Sequence, residues 1–266
     1  MNKTTIHSII KTKDLSIGYQ QKKQQLIVAK NINITINQAT FTALIGKNGV
    51  GKSTLLRTLT KVQQPLSGNV YLKNKSISAY SHKELATELS LVLTDGLPES
   101  QLTVFELIAL GRQPYTNWID KLQANDISKI NWAIEQTEIT HLKDKKFYEL
   151  SDGQLQRVMI ARALAQDTEI IILDEPTAHL DMHHTYKIFL LLKKLVATTG
   201  KTILISTHQI NLALELVDEL IVMKSNSIAS GRTQDIIESN ALETLFPKDI
   251  LRFNKTLQQF TVNKKN

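Results

Sequence analysis

Apolar positions along this chain follow several rhythms. Residues 41–45, 170–173 and 202–206 carry theirs in unbroken runs, the pattern of strands buried on both faces of a parallel sheet. Residues 26–36 and 68–72 alternate instead, as half-exposed strands of an antiparallel sheet do. Between Thr94 and Lys146 the period lengthens to that of a helix, with Val104, Leu107 and Ile108 in one apolar set and Ile127, Ile130 and Ile134 in the next. After Asp249, the apolar residues Leu251, Phe253, Leu257, Phe260 and Val262 surround Asn254-Lys255 and predict a short hairpin. Short apolar runs alternating with longer periodic segments predict an α/β protein with a largely parallel sheet, interrupted by a helical insertion. The expected layout is one domain over 1–266. An α/β core with an antiparallel β-subdomain takes about 1–93 and 166–235, a helical subdomain 94–165, and a C-terminal extension 236–266.

Composition changes this picture little. At 266 residues, 42% hydrophobic and 21% charged, the chain is long enough to bury a proper core. The longest apolar run, Ile188 to Leu192, is five residues, against the roughly 20 that a spanning helix needs. Residues 1–13 lack the apolar stretch of a secretory signal, so a cytoplasmic location is expected. The absence of cysteine excludes disulfides and thiol catalysis. The net charge of +7 invites a nucleic-acid reading, but 26 of the 32 basic residues are scattered lysines without interleaved aromatics. That distribution describes a solvated surface, with at most an attraction to an anionic membrane face, and no nucleic-acid partner is expected.

The first chemistry-bearing motif is Gly46-Lys47-Asn48-Gly49-Val50-Gly51-Lys52-Ser53-Thr54, between the strand ending at Ile45 and a helix expected from near Ser53. This is G-x-x-x-x-G-K-[ST] in its strand-then-helix setting. Glycines let backbone N–H groups converge on phosphate oxygens, and the helix N-terminus adds donors and a favourable dipole. Lys52 would lie on the β and γ phosphates, and Ser53 would ligate Mg²⁺. Phosphate binding alone leaves kinase, GTPase, helicase and transport ATPase open. The second motif is the apolar strand Ile170-Ile171-Ile172-Leu173, ending in Asp174-Glu175. Asp174 would take Mg²⁺ through its water shell, and Glu175 would polarise an attacking water. His208 follows the third buried strand, where strand ends converge on a ligand crevice.

Leu150-Ser151-Asp152-Gly153-Gln154, ahead of an expected helix, resembles the LSGGQ signature of ABC ATPases. The ordered set over about residues 8 to 235 is similar to that family throughout. Tyr19 resembles the adenine-stacking aromatic, residues 46–54 Walker A, residues 170–175 Walker B with its glutamate, Asp181 the D-loop aspartate and His208 the switch histidine. The resemblance implies a RecA-like P-loop core binding ATP and Mg²⁺. It also implies that Ser151, Asp152, Gly153 and Gln154 close over nucleotide held by a second ATP-binding subunit. Two positions depart from the pattern: Thr94 stands where the Q-loop glutamine is expected, and Asp152 replaces a glycine. Asp152 suits a helix N-terminus but would repel γ-phosphate, so its side chain is expected to point away.

The stretch from Leu102 to Tyr115 resembles the same region in ATPases of bacterial iron-siderophore, haem and cobalamin importers. The implied assembly places the chain on the inner face of the cell membrane, bound to permease subunits and served indirectly by a substrate-binding protein. Rival readings are a soluble ABC ATPase of DNA repair or ribosomes, and a kinase or GTPase. The first would carry two cassettes or long coiled coils, and the second gives no reason for residues 150–154.

Overall fold

In a computed structural model of the chain, the described residues are 7–21, 24–93, 101–116, 121–225, 227–247 and 250–263. The chain forms two compact units: Met1–Tyr80 with Thr202–Asn266, and Ser81–Lys201.

The first unit opens with β1 (Ser8–Gln21), β2 (Gln24–Ile32), β3 (Thr35–Asn37), β4 (Phe41–Gly46), α1 (Lys52–Leu59), β5 (Ser67–Leu72) and β6 (Lys75–Ser76). β1 pairs antiparallel with β2, β3 and β5. The single strand expected over 26–36 is in fact two, broken at Asn33-Ile34. There the Asn33 side chain accepts from the Asp14 N–H (2.8 Å) and donates to the Asn31 carbonyl (3.3 Å). Leu26 and Ile27 in β2 are exposed, so its outer half does not alternate as expected.

The second unit holds α2 (His82–Glu88), β7 (Leu89–Val92), α3 (Val104–Ala109), α4 (Ala124–Gln136), α5 (Asp152–Ala165), β8 (Ile170–Leu173) and α6 (Met182–Thr199). β7 and β8 run parallel, Leu89 against Ile170 through Val92 against Leu173. All four residues of β8 are buried, each worth roughly 1.5–3 kcal/mol relative to exposure. Threonine and serine caps define the helices: Thr103 opens α3 and Ser151 opens α5, each in a reciprocal capping box. Gly200, in the left-handed region at φ 67, ends α6. Of the expected apolar face of α4, Ile130 and Ile134 are buried, but Ile127 is 42% exposed.

The chain returns to the first unit with β9 (Thr202–Thr207), α7 (Ile210–Leu216), β10 (Glu219–Lys224), β11 (Ser227–Arg232), α8 (Thr233–Glu238), β12 (Leu251–Asn254) and β13 (Gln259–Val262). β4 lies parallel between β10 and β9, while β11 pairs antiparallel with β10. β4 and β9 are buried along their whole lengths, as unbroken apolar runs require. β12 and β13 form the expected hairpin, with Phe253 opposite Phe260. No helix among the described residues is long and apolar enough to cross a membrane.

Candidate functional site

In the first unit, β4 delivers the chain to Gly46, and α1 begins six residues later at Lys52. The loop between turns on itself through a hydrogen bond from the Val50 N–H to the Lys47 carbonyl (3.4 Å). Two positions need glycine for different reasons. Gly51 lies at φ 111, and a Cβ there would run into the Val28 side chain. At Gly46 a Cβ would stand 2.6 Å from the Met223 carbonyl oxygen. Gly51 is the N-cap of α1 and supplies no side-chain cap, and no acidic residue occupies the first turn. The helix therefore presents backbone donors and the positive end of its dipole at the loop.

Lys52 is 5% exposed. Its ammonium folds back to donate to the Gly46 carbonyl (3.3 Å) and lies 3.4 Å from Nε2 of His208. A protonated lysine has no acceptor, so Nε2 accepts and the imidazole proton sits on Nδ1. The structure thus brings together two residues that are 156 apart in sequence. Ser53 is half-buried and Thr54 buried. The Tyr19 hydroxyl hydrogen-bonds the Thr54 hydroxyl at 3.1 Å while the residue stays 42% exposed. Lys47, Asn48 and Gly49 are exposed at the loop tip. A positively charged cradle with glycines where side chains would intrude, at an uncapped helix start, fits a nucleotide's phosphates.

In the second unit, buried β8 runs straight into Asp174, which is 4% exposed and donates its N–H to the Val92 carbonyl (2.9 Å). Glu175 then turns out of the strand direction at φ 46. A non-glycine residue in the left-handed region stores strain, and such residues concentrate at functional sites. The turn after it is closed by hydrogen bonds from Ala178 N–H to the Glu175 carbonyl (3.1 Å) and from Leu180 N–H to the Thr177 carbonyl (3.3 Å).

Asp181 caps α6, its Oδ1 accepting from the His184 N–H and its Oδ2 pairing with Nδ1 of the His184 ring, both at 2.8 Å. The backbone N–H first, and the ring second, hold the Asp181 carboxyl below its ordinary pKa. At the signature, the Gln154 N–H donates to the Ser151 hydroxyl (3.4 Å), and the Ser151 N–H donates to the Gln154 side chain (3.1 Å). The helix thus starts inside the motif rather than after it: Asp152, Gly153 and Gln154 form the first turn of α5. The physical reason is the capping box at Ser151, which lets a helix begin at Asp152, two residues after Leu150. Asp152 is exposed there. Thr94, the residue at the expected Q-loop position, lies outside the described residues.

Sequence reasoning missed His184, whose ring stands against Gly153: a Cβ on that glycine would meet its Cδ2 at 2.9 Å. The available signal was the spacing Asp181-x-x-His184 at a helix start, which places a side chain over its own cap.

The sequence model of the ABC transporter family matches residues 29–178. An iron(3+)-hydroxamate import ATP-binding protein of Bacillus subtilis is 37% identical over 91% of this chain and 86% of its own. A ferric enterobactin transport ATP-binding protein of Escherichia coli is 36% identical over 89% and 86%. Among solved structures, a metal-chelate type ABC transporter in an inward-facing conformation has a TM-score of 0.77 at 26% identity, covering 90% of this chain and 89% of that one. A dimeric post-hydrolysis ATP-binding cassette bound to ADP and phosphate has a TM-score of 0.72 at 29% identity, covering 85% and 99%.

Proposed function

Because this chain belongs to the ABC transporter family of ATP-binding proteins, we propose that it is the ATP-hydrolysing subunit of an importer that carries an iron chelate through a membrane permease. The ATPase class follows from family membership. The cargo class is supported by relatives named for hydroxamate and enterobactin iron import, each aligned over nearly all of this chain. The observation that carries the catalytic reading is Lys52, buried and folded over a glycine loop beside His208.

The roles follow from the chemistry of each group. Lys52 and the N–H groups of residues 46–54 bind the β and γ phosphates, with Tyr19 against the base. Ser53 would ligate Mg²⁺ and Asp174 would take it through its water shell, and the ion would supply neutralisation of charge on the phosphate oxygens. Glu175 takes the proton of the attacking water, while His208 orients the terminal phosphate. Ser151 accepts the Gln154 N–H, which leaves its own O–H to donate to an anion. In this reading that anion is the γ-phosphate held by a second subunit, so a pair of such subunits forms two composite sites. The pair works from the cytoplasmic side of the membrane.

The test is uptake. Cells lacking this chain should lose import of radiolabelled ferric hydroxamate or ferric catecholate. The wild-type chain should restore it, and Glu175→Gln, expressed to the same level, should not. Wild-type uptake of both chelate classes in the deletion strain would overturn the cargo assignment, whatever the ATPase activity of the purified chain.

A further inference from the structure

We propose that His184 is a positioning residue for ATP turnover, its imidazole tying the Asp181 turn to the signature turn at Ser151–Gly153 so that the two move together. The inference rests on the reading above, in which both turns serve hydrolysis, and adds a residue that the motif set does not contain. All of its parts lie within the Ser81–Lys201 unit.

Three observations combine. First, one residue occupies both oxygens of the Asp181 carboxylate: the His184 backbone N–H takes Oδ1 and the ring Nδ1 takes Oδ2, each at 2.8 Å. A carboxylate is an acceptor only, so Nδ1 carries a proton and donates. Two bonds from one residue fix the ring's direction as well as its position. Secondly, the opposite edge of that ring stands on the signature. A Cβ built on Gly153 would lie 2.9 Å from Cδ2, 3.3 Å from Cγ and 3.6 Å from Nε2. Any side chain at 153 would push the ring off Asp181, so the glycine is needed for the contact as well as for whatever approaches the helix start. Thirdly, the ring is not held by burial. The His184 side chain is 49% exposed and that of Asp181 64%. Among the described residues, the ring beside it is that of His183, edge-on at 5.6 Å. A half-exposed imidazole gains little from the hydrophobic effect and loses rotamer freedom when fixed. Its fixed pose comes from Asp181 on one side and Gly153 on the other.

The mechanical consequence is direct. Asp181 caps α6 and Ser151 caps α5, so the ring joins the first turns of two helices. A displacement of the Asp181 turn is passed to Gly153 through a rigid aromatic rather than a flexible chain. The residues that make this contact, Gly153, Asp181 and His184, are distinct in sequence from the phosphate loop of residues 46–54. Loss of the tie should therefore lower the rate of turnover without changing how tightly the chain takes ATP.

The experiment compares full-length variants by kcat, KM for ATP and melting temperature. His184→Asn keeps an N–H donor near the Nδ1 position and should stay within about twofold of wild type. His184→Phe keeps a ring on Gly153 but has no donor for Asp181. It should lower kcat about tenfold, the scale of one hydrogen bond to a charged group, with KM and melting temperature unchanged. Wild-type kcat in His184→Phe, an equal loss in His184→Asn, or a kcat loss matched by a fall in melting temperature would each overturn the proposal. Ser151→Arg serves as the control for the reading beneath it. Turnover lost in Ser151→Arg but intact in His184→Phe refutes the tie alone, whereas turnover intact in Ser151→Arg refutes the signature reading itself.

Discussion

At the scale of single residues, the backbone marks where chemistry is expected. Glu175 holds φ 46 two residues beyond the end of a strand whose every side chain is buried. Such a conformation costs roughly 1–2 kcal/mol in a residue with a Cβ, and here it bends the backbone out of line with the strand. Glu175→Gln preserves size and backbone while removing the base. It should retain ATP binding and slow hydrolysis by about 10²–10⁴-fold, the range for general base catalysis. Steady-state phosphate release and equilibrium binding of a fluorescent ATP analogue measure the two halves, and undiminished turnover would remove Glu175 from the mechanism. The loop glycines allow a contrast. Gly49 has φ 74 with nothing within 4 Å of an added Cβ, whereas Gly51 has φ 111 and its Cβ would collide with Val28. Gly49→Ala should lower stability by about 1 kcal/mol from the left-handed backbone alone and still bind ATP. Gly51→Ala must also shift the start of α1, and should lose nucleotide affinity at least tenfold more. Equal affinities in the two variants would mean that the loop's shape does not govern phosphate binding.

At the scale of elements, the helical insertion holds a buried ion pair that no periodicity reveals. Arg112 donates to Asp126 at 2.9 Å and to the Ala165 carbonyl at 2.8 Å, with side-chain exposures of 3% and 7% for the pair. Burial pushes the Asp126 carboxyl up, but the Gln123 N–H and the Arg112 guanidinium outweigh it, and the group lies below its ordinary 3.8. A lowered carboxylate contributes stability that is whole above the ordinary range and lost as pH falls through the depressed value. Asp126→Asn strands a buried guanidinium and should cost about 3–5 kcal/mol at neutral pH, with the deficit shrinking in acid below about pH 4. Urea unfolding at both pH values checks this; a pH-independent deficit would mean the pair is not ionic. Val104, Leu107 and Ile108 are core, whereas Tyr115 is 41% exposed beneath the Arg112 guanidinium. Leu107→Asp would therefore disrupt the core of the insertion. The periodic code was readable where one face is buried, as at Ile130 and Ile134. It failed at Ile127, because an apolar residue on a helix need not meet a neighbour, and at Asn33, because side-chain hydrogen bonds break a strand without changing its apolar content.

At the scale of the whole molecule, the chain enters the second unit at Ser81 and leaves it at Lys201. Linear motif order was legible because each motif is a short local device: a glycine loop, an acid pair, a capped turn. The partition was not, since nothing in the composition around Tyr80 or Lys201 distinguishes those points from ordinary turns. Nor was His184 legible, because what it does depends on Gly153, 31 positions earlier, being its neighbour. The partition leaves Lys52 and His208 in one unit and the signature and acid pair in the other. Whether one nucleotide recruits groups from two copies of the chain is a question of association, and mass answers it. With Glu175→Gln to suppress hydrolysis, adding ATP and Mg²⁺ should double the mass seen by light scattering, because nucleotide binds the closed pair better than the open chains. The same protein carrying Ser151→Arg should bind ATP with nearly unchanged affinity and remain monomeric, since the arginine sits at an exposed helix cap remote from Lys52 in sequence. If that double variant still pairs on ATP, the signature is not the surface that closes on the partner's triphosphate. If neither variant pairs while both bind ATP, the isolated chain needs its permease to bring two copies together. Reconstituting the permease should then restore ATP-dependent pairing in Glu175→Gln and leave it absent in the Ser151→Arg form.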